Sequence, residues 1–148
     1  MLVEAASLCL VDQDLTLRLD ITCHHNPVEG WPAFYQFSMQ QNDQIAGVIH
    51  LRIGDQAELT GHLGHIGYEV FPDFRGQRFA LRATQLLLPL ARQNGLQELW
   101  ITCNPDNVPS LKTCMRLGAD YIDQVPVPED CPMYERGERV KCRFRLRL

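Results

Sequence analysis

Gly67-Tyr-Glu-Val-Phe-Pro-Asp-Phe-Arg-Gly-Gln-Arg-Phe-Ala80 is the stretch on which the reading of this chain turns. His65–Phe71 reads as a strand that Pro72–Gly76 breaks. From Gly76 to Asn94 the apolar residues Phe79, Ala80, Ala83, Leu87, Leu90 and Ala91 recur at helical spacing, and Asn94-Gly95 supplies the stop. Pro89 deletes one backbone hydrogen bond inside that pattern and predicts a kink. A strand that turns at once into a helix aims free backbone N–H groups at one spot, and the helix dipole adds partial positive charge there. That is an anion site suited to a pyrophosphate. Gly76 lets the backbone approach closely, and Arg75 and Arg78 add fixed charge. The same residues also suit a plain solvated helix start. GxxxxGK[ST] and GxGxxG are both absent, which excludes a Walker-type loop and a dinucleotide fingerprint.

Working outward, Leu15–Ile21 alternates as a first strand, and His24–Pro32 is a turn-rich connection. Phe34–Gln40 and Gln44–Ile53 form a hairpin about Asn42-Asp43. Gly54–Gly64 reads as a polar loop. Downstream lie a short buried strand, Glu98–Cys103, a turn, and a second helix, Val108–Leu117, stopped by Gly118. Tyr121–Val127 and Val140–Leu148 are the last strands. Strand–helix alternation in the middle implies a parallel pair, and the hairpins at both ends imply antiparallel pairing. A mixed, mostly antiparallel sheet covered by helices follows, a three-layer α/β domain spanning residues 1–148.

The chain has 148 residues, 45% hydrophobic and 22% charged, as expected of one globular domain. No stretch approaches the ~18 apolar residues of a membrane span, and the N-terminus lacks a basic n-region, so a cytoplasmic protein is expected. The net charge of −4 argues against a nucleic-acid partner. Six scattered cysteines without a CxxC pair read as reduced, mostly buried thiols. Cys23-His24-His25 has no second ligand cluster, so no metal is expected.

Arg75-Gly-Gln-Arg78-Phe-Ala80 resembles the Arg/Gln-x-x-Gly-x-Gly/Ala signature of the GNAT superfamily of acetyl-CoA-dependent N-acetyltransferases. Ile101–Gly118 is similar to the family's later strand and helix, with Asn107, Ser110 and Gly118 in the matching places. Gly64-His-Ile-Gly-Tyr68 and Ile101-Thr-Cys-Asn104 resemble the ribosomal-protein-acetyltransferase branch. These blocks and the strand order extend over roughly residues 10–148.

The resemblance implies a fold in which the strand before the signature carries a bulge and splays from its neighbour, with the pantetheine arm of acetyl-CoA in the gap. It implies that the backbone of Glu69, Val70 and Phe71 bonds the pantetheine and the acetyl carbonyl. It further implies that the backbone of Arg75, Gly76, Gln77, Arg78, Phe79 and Ala80 holds the pyrophosphate, and that Asn107 and Ser110 touch the arm. No metal is involved. Two departures stand out. The signature's invariant Gly falls on Arg78, and the helix Tyr that protonates the leaving thiolate in many members is Cys114. Cys114 reads either as a weak acid or as a core residue, and Tyr121 and Tyr134 are substitutes for the missing Tyr.

An incoming ammonium must lose a proton, and the candidates by sequence are His62, His65, Tyr68 and Glu69. Alternation puts His65, Gly67 and Glu69 on one face and Ile66, Tyr68 and Val70 on the other. Thr102 stands where some relatives carry a base Glu. The leading expectation is an N-acetyltransferase acting on a small-molecule or peptide amine by direct attack in a ternary complex. An acyl-CoA-binding module without turnover, and a protein without cofactor, are the other readings. The short His24–Pro32 segment suits an open cleft for a larger acceptor, or a site completed by a second subunit in a homodimer.

Overall fold

The computed structural model describes residues 2–5, 10–25, 28 and 30–148. Its strands are β1 (Val11–Asp12), β2 (Leu15–Cys23), β3 (Ala33–Gln41), β4 (Gln44–Ile53), β5 (Ile66–Val70), β6 (Glu98–Cys103), β7 (Asp120–Pro126) and β8 (Val140–Arg147). Its helices are α1 (Ala57–Thr60), α2 (Phe79–Gln93), α3 (Val108–Arg116) and α4 (Pro132–Glu135), with a 3-10 turn at Pro72–Phe74. The strands form one sheet in the order β1-β2-β3-β4-β5-β6-β8-β7. Every pairing is antiparallel except β5 with β6.

Period-two alternation sorts the sheet residues between two faces. Leu15, Leu17, Tyr35, Phe37, Met39, Ile49, Leu51, Ile66, Leu99, Ile101, Phe144 and Leu146 all point one way and are buried. They meet Phe79, Ala83, Leu87, Leu90 and Ala91 of α2 and Cys114 of α3 in one core. Each fully buried large side chain there contributes about 1.5–3 kcal/mol. α2 runs unbroken through Pro89. Pro89 and Gln85 are both exposed, so water reaches the carbonyl that the proline leaves unpaired.

The three-layer expectation fails on the opposite face. Both long helices share one side, and among the described helices α1 alone covers part of the other, where Arg143 Nη1 donates to Thr60 O (2.7 Å). Leu59 is fully buried there, apart from the main core. Arg18, Leu19, Asp20, Ile21 and Thr22 of β2 are exposed.

Several boundaries move. α2 starts at Phe79 rather than Gly76, because Arg78 adopts a left-handed conformation (φ 59°) as its N-cap. α1 lies in Gly54–Gly64, which reads as a loop, α4 lies between the last two strands, and β1 lies ahead of the first strand read from the sequence. The connection 24–32 lies partly outside the described residues. No register shift interrupts β5 where it pairs with β4. The irregularity falls one strand away, where Gln40 of β3 faces Ile45 and Met39 faces Gly47. Among the described cysteines, Cys103, Cys114 and Cys142 are buried, while Cys23 and Cys131 are half-exposed.

Candidate active site

The parallel pair β5–β6 is joined by a single residue pair, Ile66 with Ile101, and by His65 N–H donating to Trp100 O (2.7 Å). Beyond Ile66 the two strands part. Phe71 N–H donates to Ala46 O of β4 (2.8 Å), so antiparallel alternation turns the backbone groups of Gly67, Glu69 and Phe71 toward β4. Those of Tyr68 and Val70 face the gap. Val70 O accepts a hydrogen bond from Arg75 Nε (3.1 Å), which leaves the Val70 N–H as a donor inside the gap.

The gap opens into a cleft of about 690 Å³ between β5, the N-terminus of α2 and α3. Arg82 N–H donates to Arg78 O, the first hydrogen bond of α2. The N–H groups of Gly76, Gln77, Arg78, Phe79, Ala80 and Leu81 find no acceptor among the described residues. Gly76 (φ 87°) has open space where a side chain would stand. Arg75, Arg78, Lys112 and Arg116 ring the cleft, and none forms an ion pair with a described carboxylate. Unpaired amides on a helix dipole, ringed by cations, form a cradle for phosphate groups. The loop is pinned from behind: Arg82 Nε donates to Asp12 (2.6 Å), and Gln41 Nε2 donates to Gln77 Oε1 (2.7 Å).

The cleft floor carries a phenol. Tyr68 OH and Ser110 Oγ are 2.9 Å apart, and burial pushes the Tyr68 pKa up to about 12, with Ser110 opposing the shift. Asn107 caps α3, its side chain accepting from Ser110 N–H (3.3 Å).

Residues 3–119 match the model of the Acetyltransferase (GNAT) family. The chain belongs to that family. Solved structures show the same fold. The microcin C7 self-immunity acetyltransferase MccE, in complex with acetyl-CoA and AMP, is 22% identical, with TM-score 0.61 over 78% of this chain and 61% of its own. The Salmonella typhimurium acetyltransferase that modifies the N-terminal serine of ribosomal protein L7/L12 is 17% identical, with TM-score 0.60 over 78% and 64%. The ribosomal-protein-S5-alanine acetyltransferase from Vibrio fischeri is 15% identical, with TM-score 0.61 over 77% and 61%. The chain thus spans less than two thirds of the length of these structures. No curated protein sequence matches it.

In this GNAT chain the cleft is lined by Tyr68, Glu69, Val70, Arg75, Gly76, Arg78, Phe79, Ala80, Asn107 and Ser110, all singled out by sequence. Phe71 and Gln77 do not line it; the Phe71 amide is taken by Ala46, and the Gln77 side chain turns to Gln41. His65 is a buried structural residue. Trp100 N–H donates to its Nδ1, its Nε2 donates to Gly54 O (each 2.9 Å), and burial lowers its pKa. Cys114 is fully buried in the core, and its neighbour Cys103, together with burial, drives its thiol pKa upward. Thr102 Oγ1 donates to His62 O (2.9 Å). Tyr121 packs edge-on against Phe144, and Tyr134 lies beneath Arg139; neither lines the cleft. Sequence reasoning missed Phe74, Leu81, Val108, Pro109, Lys112, Thr113 and Arg116. The spacing 108, 112, 116 with 109 and 113 is one face of α3, so helical periodicity carried that signal.

Proposed function

We propose that the chain transfers an acetyl group from acetyl-CoA to a primary amine, by direct attack within a ternary complex. The observation that carries this is the run of unpartnered amides from Gly76 to Leu81, ringed by four unpaired cations and continuous with the β5–β6 gap. The residues present fit the cofactor. Gly76 to Leu81 would hold the pyrophosphate, Asn107 and Ser110 would flank the pantetheine arm, and Lys112 and Arg116 would add charge. Bound there, acetyl-CoA supplies an activated acyl thioester.

The chain's own groups divide the remaining work. Val70 N–H donates where oxyanion charge develops, a contribution of about 3 kcal/mol for one such donor in other acyl-transfer sites. Tyr68 stays protonated near neutrality, and Ser110 orients its hydroxyl to give a proton to a departing thiolate. The phenol thus comes from β5 rather than from the α3 position that Cys114 occupies. Glu69, exposed and on the sheet face away from α2, takes the ammonium proton directly or through water. Cys103 and Cys114 lie behind the cleft floor rather than in its lining, which favours direct attack over an acyl-cysteine intermediate.

The test is coenzyme A release from acetyl-CoA across a panel of amines and peptides. Release with at least one acceptor is expected, and Tyr68→Phe should lower kcat about 100-fold or more with little change in KM for acetyl-CoA. Tight acetyl-CoA binding without release across the whole panel would instead show an acyl-CoA-binding module.

A further inference from the structure

We propose that Arg52 is a specificity residue that receives a carboxylate of the acceptor, so that the acceptor is an amine bearing a carboxylate, of the free amino-acid class. The inference rests on the acetyl-transfer reading and names the substrate class for that same site.

Arg52 stands on β4, on the sheet face away from α2 and α3, together with His50 and Gly67. Its guanidinium packs against the bare backbone of Gly67. A Cβ built at Gly67 would come within 2.8 Å of Arg52 Nη2 and 3.2 Å of Nη1. Gly67 is the first residue past the single β5–β6 pair, so the guanidinium sits where the two strands begin to part. The cleft opens mainly on the other face, with Glu69 at its edge. An amine reaching the gap therefore approaches from the Arg52 side.

No described carboxylate offsets the charge on Arg52. The other cations drawn into the surface have carboxylate partners: Arg82 with Asp12 (2.6 Å), Lys141 with Glu138 (2.6 Å) and Arg143 with Asp123 (2.6 Å). No described carboxylate lies within ion-pair distance of Arg52, whose side-chain hydrogen bonds to described residues run from Nη1 to Gly64 O (3.2 Å) and Leu63 O (3.5 Å). Burial draws its pKa down with no acid opposing the change. The flanking His50 is held neutral by burial and by Arg52 itself, and it donates from Nε2 to Gln36 Oε1 (2.9 Å). A desolvated cation without a partner is costly, and a guanidinium fork fits a carboxylate through two parallel hydrogen bonds. Glu69 follows Gly67 by two residues on the same face, roughly 7 Å along the strand. A carboxylate on Arg52 and an ammonium near Glu69 are the two ends of a short zwitterion.

The experiment compares kcat/KM for free amino acids with their carboxamides and with short neutral peptides, expressed per unprotonated amine. The wild type is expected to favour the carboxylate by about tenfold or more. Arg52→Gln should bring that ratio close to one. Gly67→Ala, which keeps the charge but pushes the guanidinium aside, should cut it severalfold. Acetyl-CoA binding, read from Tm, should persist in both variants and so report folding and the cofactor site separately. An equal rate for acids and carboxamides in the wild type, or a ratio unmoved by both substitutions, overturns the assignment. Should no amine be acetylated, the transfer reading fails and the Arg52 site is judged by binding. Free amino acids must then raise Tm of the coenzyme A complex in the wild type and not in Arg52→Gln, and the absence of that difference overturns it.

Discussion

Arg78 holds a left-handed backbone (φ 59°, ψ 33°) at the mouth of α2, the position where the family signature has Gly. An L-residue pays about 1 kcal/mol for that conformation, yet here it adds a cation beside the unpaired amides. Arg78→Gly should therefore stabilise the fold by about 0.5–1 kcal/mol in denaturant unfolding while weakening acetyl-CoA binding severalfold. A loss of both stability and affinity would show that the side chain, not the backbone, decides the position. Tyr68 gives a second prediction at this scale. Its pKa rises on folding from 10.0 to about 12, because burial disfavours the phenolate. The sign follows from linkage: the unfolded chain loses this proton first, so stability is intact below about pH 10 and falls as pH rises toward 12. The loss is up to about 2–3 kcal/mol. Unfolding curves at pH 9 and pH 11.5 should show that extra decline in the wild type, and Tyr68→Phe should lack it. Chemistry at single positions was only partly legible in the sequence. The strand–turn–helix signature located the amide cradle. The fate of His65 depends on Trp100 and Gly54, partners that only the folded sheet supplies.

α3 links the stability of one element to the lining of the cleft. Asn107 accepts from the Ser110 N–H, Pro109 sits in the first turn, and Ser110 in turn meets Tyr68. Removing the cap frees the end of the helix that carries Ser110 and Lys112 into the cleft. Asn107→Ala should cost about 1 kcal/mol and raise KM for acetyl-CoA, whereas Asn107→Ser or Asn107→Asp should restore most of the stability. Equal stability of the alanine variant would remove the capping role. The longer elements were legible because apolar spacing repeats several times in α2 and the strands. α1 and α4 have four residues each, about one turn, so no period could be read from them. β1 has two, Val11–Asp12, and exists only because β2 pairs with it. The start of α2 was misplaced because a left-handed Arg at a cap has no sequence signal of its own.

Across the whole molecule, the two sheet faces have separate duties. One is covered by α2 and α3, and it makes the core and the cleft proposed to take acetyl-CoA. On the other, no described helix besides α1 covers the sheet; residues 18–22 of β2 and Glu69 are exposed there, and Arg52 is partly buried. The sequence predicted the sheet and its parallel pair but not this asymmetry, since alternation assigns residues to faces without saying what covers each. The cleft depends on electrostatics spread over Arg75, Arg78, Lys112 and Arg116, all exposed and none paired with a described carboxylate. Exposed charges are screened over about 8 Å at physiological ionic strength and over about 3 Å at 1 M. Acetyl-CoA at a hundredfold excess over Kd should stabilise the folded state by about 2.7 kcal/mol, a Tm rise of roughly 5–10 °C. At a fixed ligand concentration, that rise should shrink as salt is raised from about 0.05 to about 0.5 M, and it should shrink less in a Lys112→Ala/Arg116→Ala variant that has already lost two of the charges. A Tm rise indifferent to salt in both proteins would place the binding energy in the backbone amides and the apolar walls, with the cation ring contributing only to the rate of encounter.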